Sequence, residues 1–527
     1  MSKEPAAGTS AQGAALFRAA EVMSIAGRAA SRRVLLQEAV TRSADTGAAR
    51  PWHERAAARK DRAYIRDLCL ALTQDGFGTD LPTWLGLAPQ EADQDLRYGA
   101  KELRARLEKL KVGRQSDRSG PLCYVLHMSL PDNGSGYSVR SHHLIAAMRK
   151  NGLDPYCVTR LGFPGDTGQP GDVAMQAVDG IDYHRILQPG KRDFRNMRYV
   201  TDAAIALVEK LAPHQPYAIM AASNHENAAP ALLAARYMGV PFIYDMRGFW
   251  ELSTLAADPE RAKTPQFATA VEMEAEIARQ ADLVFTLTEA MKGELRRRQV
   301  GNPNIHILPN AADPEVFRAA PRNAALARKV GISDDTAVIG YVGSFTGYEG
   351  LDDLTRACVL LHQQGYDFRL LLIGSEPAHL RDAICPELRQ IAAAGGITDK
   401  LIMPGRVPVQ EVKDWYSLID IVPIPRKDMA VAELVSPLKP LEAMAMEKAV
   451  VVTDLAALKE IVTHDETGIV VPRSDVGALA AALGRLIEDP AARASLGKRA
   501  RQRIIDARNW DAVVRNFRDI LRQNLPG

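Results

Sequence analysis

The sequence predicts a two-lobed α/β protein behind a helical extension, each lobe an open parallel sheet with helices on both faces. Three observations carry this. Short apolar runs alternate with amphipathic stretches from residue 121 onward. The alternation begins afresh after the proline-punctuated "IHILPNAADPEVF" (305–317). Before residue 112 the periodicity is helical instead. With 527 residues, 46% of them hydrophobic, the chain has apolar material for two or three domains.

In the extension, Leu16, Ala20 and Met23 repeat at helical spacing, as do Tyr64, Leu68 and Leu72. Breaks are read at Thr46-Gly47, Gly76-Phe77-Gly78 and Leu81-Pro82, and the charged stretch from Lys101 to Lys111 closes it. No chemical constellation lies there, so it reads as a packing or docking module. At Pro121 the texture changes: "LCYVLHMSL" reads as a strand, "PDNGSG" as a glycine turn and "VRSHHLIAAMRKNG" as a helix ending at Gly152. Strand "YAIMAAS", helix "APALLAARYMGV", strand "PFIYDMRG", strand "ADLVFTLT" and helix "EAMKGELRRR" follow. The second set runs from "AVIGYVGSF" through "LDDLTRACVLLHQQG", "FRLLLIG", "KLIMPG", "VQEVKDWYSLI", "DIVPIP", "PLEAMAMEK", "AVVVTD" and "GIVV" to helices after Asp475. Alternation of this kind means two Rossmann-like lobes, with ligands expected at the carboxyl ends of the strands and in the cleft between lobes. The boundaries are an extension at 1–118, a first lobe at 119–318, a second at 319–504 and a returning terminal helix at 505–527.

Composition excludes several classes. Charge is nearly balanced, 66 basic against 64 acidic residues, so nothing points to a nucleic-acid partner. Residues 1–120 are mildly basic, with 20 Lys/Arg against 15 Asp/Glu. Five scattered cysteines without C-x-x-C spacing indicate neither a zinc site nor a disulfide framework, and fit a reducing compartment. Residues 1–12 lack the apolar core of a signal peptide, and no window approaches a membrane span. The expectation is a cytoplasmic protein, with a peripheral contact at the inner face of the membrane left open.

Chemistry concentrates in the second lobe. The N-lobe turn Asn133-Gly134-Ser135-Gly136 fails a dinucleotide fingerprint because Val139 stands at the third glycine position. In the C-lobe, the strand "VIGYVG" opens into a glycine-rich turn, Ser344 to Gly350, and "MPGRVP" is a second strand-end loop. A third, "IPRKDMAVAELVSPLKPLEAMA", places Arg426, Lys427 and Lys439 around the start of a helix containing Glu442. Cations at a helix start suit a diphosphate, and a carboxylate in the first turns suits a vicinal diol such as a ribose.

The order glycine loop, "GRV", "SPLKPLEAMA", "VVVTD" resembles the nucleotide-binding lobe of GT-B glycosyltransferases, specifically retaining family four (group one). "FIYDMRGFWE" and "LPNAADPEVF" resemble that family's N-lobe strand and interlobe linker, and Trp510 its returning terminal helix. The likeness spans about Leu122 to Leu521 and leaves the extension outside. It implies retaining transfer of a hexosyl or related sugar from a nucleotide-sugar donor to a glycan or lipid-linked acceptor, as in polysaccharide assembly. No metal or other cofactor is implied. Donor contacts implied by it are Gly136, Gly343, Ser344, Arg406, Val407, Lys439, Pro440, Leu441 and Glu442, with Arg426, Lys427, Glu433 and Arg247 as catalytic residues.

Three departures from the family pattern stand out. Glu433 and Glu442 are nine positions apart rather than eight, and Glu349 stands where a lysine is usual. Arg247 occupies the strand end where members often carry a histidine. His127, His142, His143 and His225 read as ordinary helix or strand-end residues, and Phe249 and Trp250 as core. Two other readings stay open: an inactive scaffold of the same fold, and a nucleotide-sugar 2-epimerase.

Overall fold

The computed structural model describes residues 16–17, 20, 29–41, 49–58, 64, 67–68, 71, 98–108, 110, 119–171, 173–187, 196–376 and 384–525. The chain breaks read at 46–47, 76–78 and 81–82 lie outside them. The described chain forms two compact units.

One unit gathers Met1–Gln115 with Arg192–Gln215 and Leu233–Val240. It contains α1 (Ala29–Thr41), α2 (Arg50–Ala58), α3 (Ala100–Glu108) and α5 (Met197–Leu211). Phe17, Leu36, Val40, Trp52, Tyr64 and Leu68 form its core, with Phe17 and Trp52 stacked at 5.8 Å. Arg106 Nη1 donates to Thr201 Oγ1 at 2.8 Å and Arg33 lies over the Tyr237 ring, so a helix from inside the alternating pattern is shared with the extension. At the centre, buried Asp67 accepts from Arg32 Nε and from Arg33 Nε, both at 2.8 Å.

The other unit holds both sheets. The N-lobe comprises β1 (Leu122–Leu126), α4 (Gly136–Lys150), β2 (Tyr156–Leu161), β3 (Met175–Val178), β4 (Ile181–Ile186), β5 (Ala218–Ala222), α6 (His225–Met238, entering the helical unit at its end), β6 (Phe242–Met246), α7 (Trp250–Ala257), α8 (Pro265–Gln280), β7 (Leu283–Thr286), α9 (Glu289–Arg297) and β8 (Ile305–Ile307). Its strand order is β3-β4-β2-β1-β5-β6-β7-β8, all parallel except the β3–β4 pair. β1, β5, β6 and β7 are buried along their whole length, as covering on both faces requires.

Sequence reading found those four strands and missed β2, β3, β4 and β8, the last lying inside the stretch read as a linker. The reason is visible in β4, which alternates buried Ile181, Tyr183 and Arg185 with more exposed Asp182, His184 and Ile186. Polar side chains inside it mask the apolar run. β3 is an antiparallel edge strand, free to expose Met175.

The C-lobe sheet is wholly parallel, in the order β11 (Leu401–Gly405), β10 (Phe368–Ile373), β9 (Ala337–Val342), β12 (Ile421–Ile424), β13 (Ala449–Thr453), β14 (Ile469–Val471). Helices α10 (Leu351–Gln363), α11 (Ala430–Leu434) and α12 (Lys439–Ala445) bear on the site below. The last helix, α13 (Trp510–Asn524), buries Trp510, Val513, Val514, Phe517 and Leu521 at helical spacing in the N-lobe core beside Leu122, Leu144 and Phe285. Asn509 caps it by accepting from the Ala512 N–H at 2.8 Å. Among the described residues no helix is long and apolar enough to cross a membrane.

Removing Asp67 takes a shared carboxylate away from two buried guanidinium groups. Asp67→Ala therefore lowers stability of the helical unit by about 3 kcal/mol or more, read as an earlier transition in urea; an unshifted transition would show that the pair contributes nothing.

Candidate functional site

Two of the three C-lobe strand-end loops that sequence reading singled out meet at one buried carboxylate. Gly343 follows the end of β9, and the turn 347–349 leads through Gly350 into α10. Two glycines are dictated by close approach. A Cβ on Gly343 would come within 2.2 Å of Lys439 Cε, and one on Gly350 within 1.9 Å of the Pro425 carbonyl oxygen, both at positive φ. Lys439 thus passes directly against the Gly343 turn.

Between those glycines, Glu349 is buried, and its Oε1 accepts from Arg426 Nη2 at 2.7 Å and from Lys439 Nζ at 2.9 Å. Burial alone would raise this carboxyl, but Arg426 and Lys439 outweigh it and hold it down at about 2. The Arg426 guanidinium sits 5.5 Å from the Tyr348 ring centre, and Lys439 Nζ 5.2 Å from that of Tyr341. The two cations differ in reach: the Lys439 side chain is 19% exposed and that of Arg426 only 7%. Lys427 is paired with Asp352 at 2.7 Å. The strand-end cations are therefore each paired from within; Lys427 is the most exposed of them, and Lys439 is the one that passes against the Gly343 turn.

Arg426 has a second task. Its Nη1 donates to the Val435 carbonyl at 2.9 Å. The neighbouring Leu434 carbonyl accepts from Thr288 Oγ1 at 2.6 Å, and that of Ser436 from Asn310 Nδ2 at 2.7 Å. Three successive carbonyls ahead of α12 are each held by a different side chain, two of them from the N-lobe.

Of the other expected donor contacts, Glu442 shares a helix with Lys439 and Ser344 follows Gly343. Glu442 is half-buried on α12, with the Tyr416 hydroxyl at 3.4 Å from its Oε2. Burial raises its carboxyl to about 7 against the pull of Lys439. Ser344 is exposed, and its carbonyl accepts from the Tyr341 hydroxyl. Arg406 is exposed with its Nε on Ser375 Oγ at 2.8 Å, while Val407, Leu441 and Pro440 pack inward. Gly136 opens α4, and an added Cβ there would meet open space.

Glu433 is directed elsewhere. Its carboxylate accepts from Arg473 Nη1 at 2.9 Å and from the Ala456 N–H, in a cluster with Asp428 and Asp454. Arg247 is also turned inward: Nε donates to Asp245 at 2.7 Å, and Nη1 to the Tyr137 carbonyl and Ser141 Oγ at 3.0 and 2.7 Å. Its Nη2 donates to the Tyr124 hydroxyl, which itself donates to Asp245. Burial disfavours the Asp245 carboxylate, yet Arg247 and Arg140 keep its pKa low. Arg247 thus ties the end of β6 to the start of α4.

A buried N-lobe network escaped sequence reading. Glu274 accepts from the His225 N–H at 2.8 Å and from the Tyr244 hydroxyl, and burial beside Glu251 raises its carboxyl to about 8. Glu251 binds Arg298 at 2.6 Å, and Arg298 lies 4.1 Å from the Phe249 ring centre. The available signal was Glu251 directly after the apolar Phe249-Trp250 pair and Glu274 on the inner face of α8. His127 is buried edge-on to Trp250 at 5.1 Å, and burial drives its pKa far down, keeping it neutral.

A family model described as "Glycosyl transferases group 1" matches residues 336–489, and one described as "Glycosyl transferase 4-like domain" matches 135–311. The chain is 26% identical to the alpha-D-kanosaminyltransferase of Streptomyces kanamyceticus, over 51% of this chain and 67% of that protein. It is also 26% identical to the D-inositol 3-phosphate glycosyltransferase of Xylanimonas cellulosilytica, over 55% and 68%. Among solved structures, sucrose-phosphate synthase from Thermosynechococcus elongatus superposes with a TM-score of 0.61 at 20% identity, covering 76% of this chain and 98% of that one. Anabaena Alr3699/HepE in complex with UDP superposes at 0.59 and 15%, covering 76% and all of that chain. At these identities the two structures bear on fold alone.

Because Arg247 compensates Asp245, Arg247→Ala should cost about 3–5 kcal/mol of stability, measured by chemical unfolding. A variant that keeps full stability but loses turnover would return Arg247 to direct contact with substrate.

Proposed function

Because the chain belongs to the group 1 glycosyltransferases and has their two-lobed GT-B fold, we propose that its C-lobe binds a nucleoside-diphosphate sugar at Gly343, Ser344, Lys439 and Glu442. In this reading a hexosyl or related group passes to a glycan or lipid-linked acceptor with retention at the anomeric carbon and without a metal, in the cytoplasm or at its membrane face. The observation that carries the reading is Lys439 crossing the Gly343 turn with its side chain partly exposed, in the same short helix as Glu442. A turn with no side chain lets a diphosphate approach the backbone, and Lys439 supplies a positive charge as the leaving diphosphate becomes more negative. Arg426 supports this from behind by holding Glu349 and the Val435 carbonyl. Arg406 and Val407, on the loop after β11, flank the base, and Gly136 on the N-lobe leaves room beside the diphosphate. Lys427 and Glu433 serve by shaping the loops after β12, through Asp352 and Arg473.

A thermal-shift panel of UDP, GDP, ADP and dTDP in chelator tests the donor site. One of the four should raise the melting temperature without metal, and Lys439→Ala should shrink the shift. A shift that appears only with added magnesium or manganese would contradict the metal-free reading, and no shift under any condition would contradict the donor site.

Glu442 gives a pH signature. As a carboxylate it accepts from both hydroxyls of a vicinal diol, and once protonated it loses part of that capacity. Its carboxyl sits near 7, so donor affinity should rise as pH increases through about 7 and then level off. Glu442→Gln should bind more weakly and flatten the profile; an unchanged slope in the variant would show that another group titrates.

A further inference from the structure

We propose that Glu349 is the resident counter-ion of the diphosphate site, a specificity-determining residue that sets the balance between nucleotide-sugar donor and nucleoside diphosphate product. The inference rests on the donor site proposed above. One carboxylate oxygen, Oε1 of Glu349, accepts from both Arg426 Nη2 at 2.7 Å and Lys439 Nζ at 2.9 Å. Two cationic nitrogens are thereby brought within hydrogen-bond reach of a single buried oxygen. Removing the anion from such an arrangement leaves like charges facing each other away from water.

The carboxylate also sets the charge that a ligand meets. Arg426 and Lys439 together with Glu349 amount to one net positive charge, and Lys427 adds none because Asp352 pairs with it. The released nucleoside diphosphate carries one more negative charge than its sugar conjugate, since its terminal phosphate regains a second ionisation near about pH 6. A site with two uncompensated cations favours the more highly charged product. The Glu349 carboxylate repels product more than donor, and so offsets that preference while keeping both cations in place.

The ratio of the two affinities isolates this effect, because misplacing the cations weakens both ligands together. Calorimetry in chelator measures the nucleoside diphosphate that the wild-type protein selects from the panel, and its glucose conjugate. Glu349→Gln should shift the ratio toward the diphosphate by about tenfold. Glu349→Asp should keep the wild-type ratio to within about twofold, and Lys439→Gln should shift it toward the sugar conjugate. An unchanged ratio in a folded Glu349→Gln variant would overturn the proposal and leave Glu349 with positioning alone. If that variant does not fold, Lys439→Gln decides: an unchanged ratio there overturns the proposal equally. A wild-type protein that binds neither ligand would sink the donor site itself, a result distinct from binding with an invariant ratio.

Discussion

Glu349 lies between Arg426 and Lys439, and the strand ends of the C-lobe are arranged around that contact. It requires Gly350, because the turn carrying Glu349 presses on the Pro425 carbonyl, and Gly343, because Lys439 must cross the β9 turn to reach the carboxylate. It fixes Arg426 so that its other arm holds the Val435 carbonyl. The segment held there is the same one that Thr288 and Asn310 clasp from the N-lobe. A charge arrangement inside one sheet is therefore continuous with the hydrogen bonds that join the lobes.

The N-lobe meets the same electrostatic demand in the same way. Buried Asp245, at the end of β6, pairs with Arg247 at 2.7 Å and Arg140 at 3.6 Å, one carboxylate between two cations. Burial opposes every charge in both clusters, and only mutual pairing keeps them ionised. The difference lies in access. Arg247 and Arg140 are sealed by Tyr124, Tyr137 and Trp510, whereas the Lys439 side chain stays partly exposed. On the proposed reading, that difference suits the C-lobe cluster to an anion and leaves the N-lobe cluster as a brace.

Much of this was legible in the residues. "VIGYVG", "DIVPIP" and "AVVVTD" read as strands because central parallel strands are apolar on both faces, and each is one. The placement of Arg426, Lys439 and Glu442 at strand ends followed from the same alternation. What could not be read is which charges pair: Glu349 lies 77 positions before Arg426 and 90 before Lys439. Arg426 and Lys427 looked like two equivalent free cations, and the fold gives each its own carboxylate. Arg247 looked like a cation facing substrate because its position in "DMRGFW" says nothing of Tyr124 and Ser141, more than a hundred residues earlier. β2 and β4 went unread because each carries a buried arginine, Arg160 and Arg185, that interrupts the apolar run; Asp166, six positions on, compensates the first, and Asp132, 53 positions earlier, the second.

The most direct test is a crystal structure with the preferred nucleoside diphosphate, grown in chelator. The account requires a phosphate oxygen within hydrogen-bond distance of Lys439 Nζ and of the backbone after Gly343, with the ribose hydroxyls on Glu442 and no metal ion between. A diphosphate bound away from Lys439, or held to the protein through a divalent cation, would contradict it.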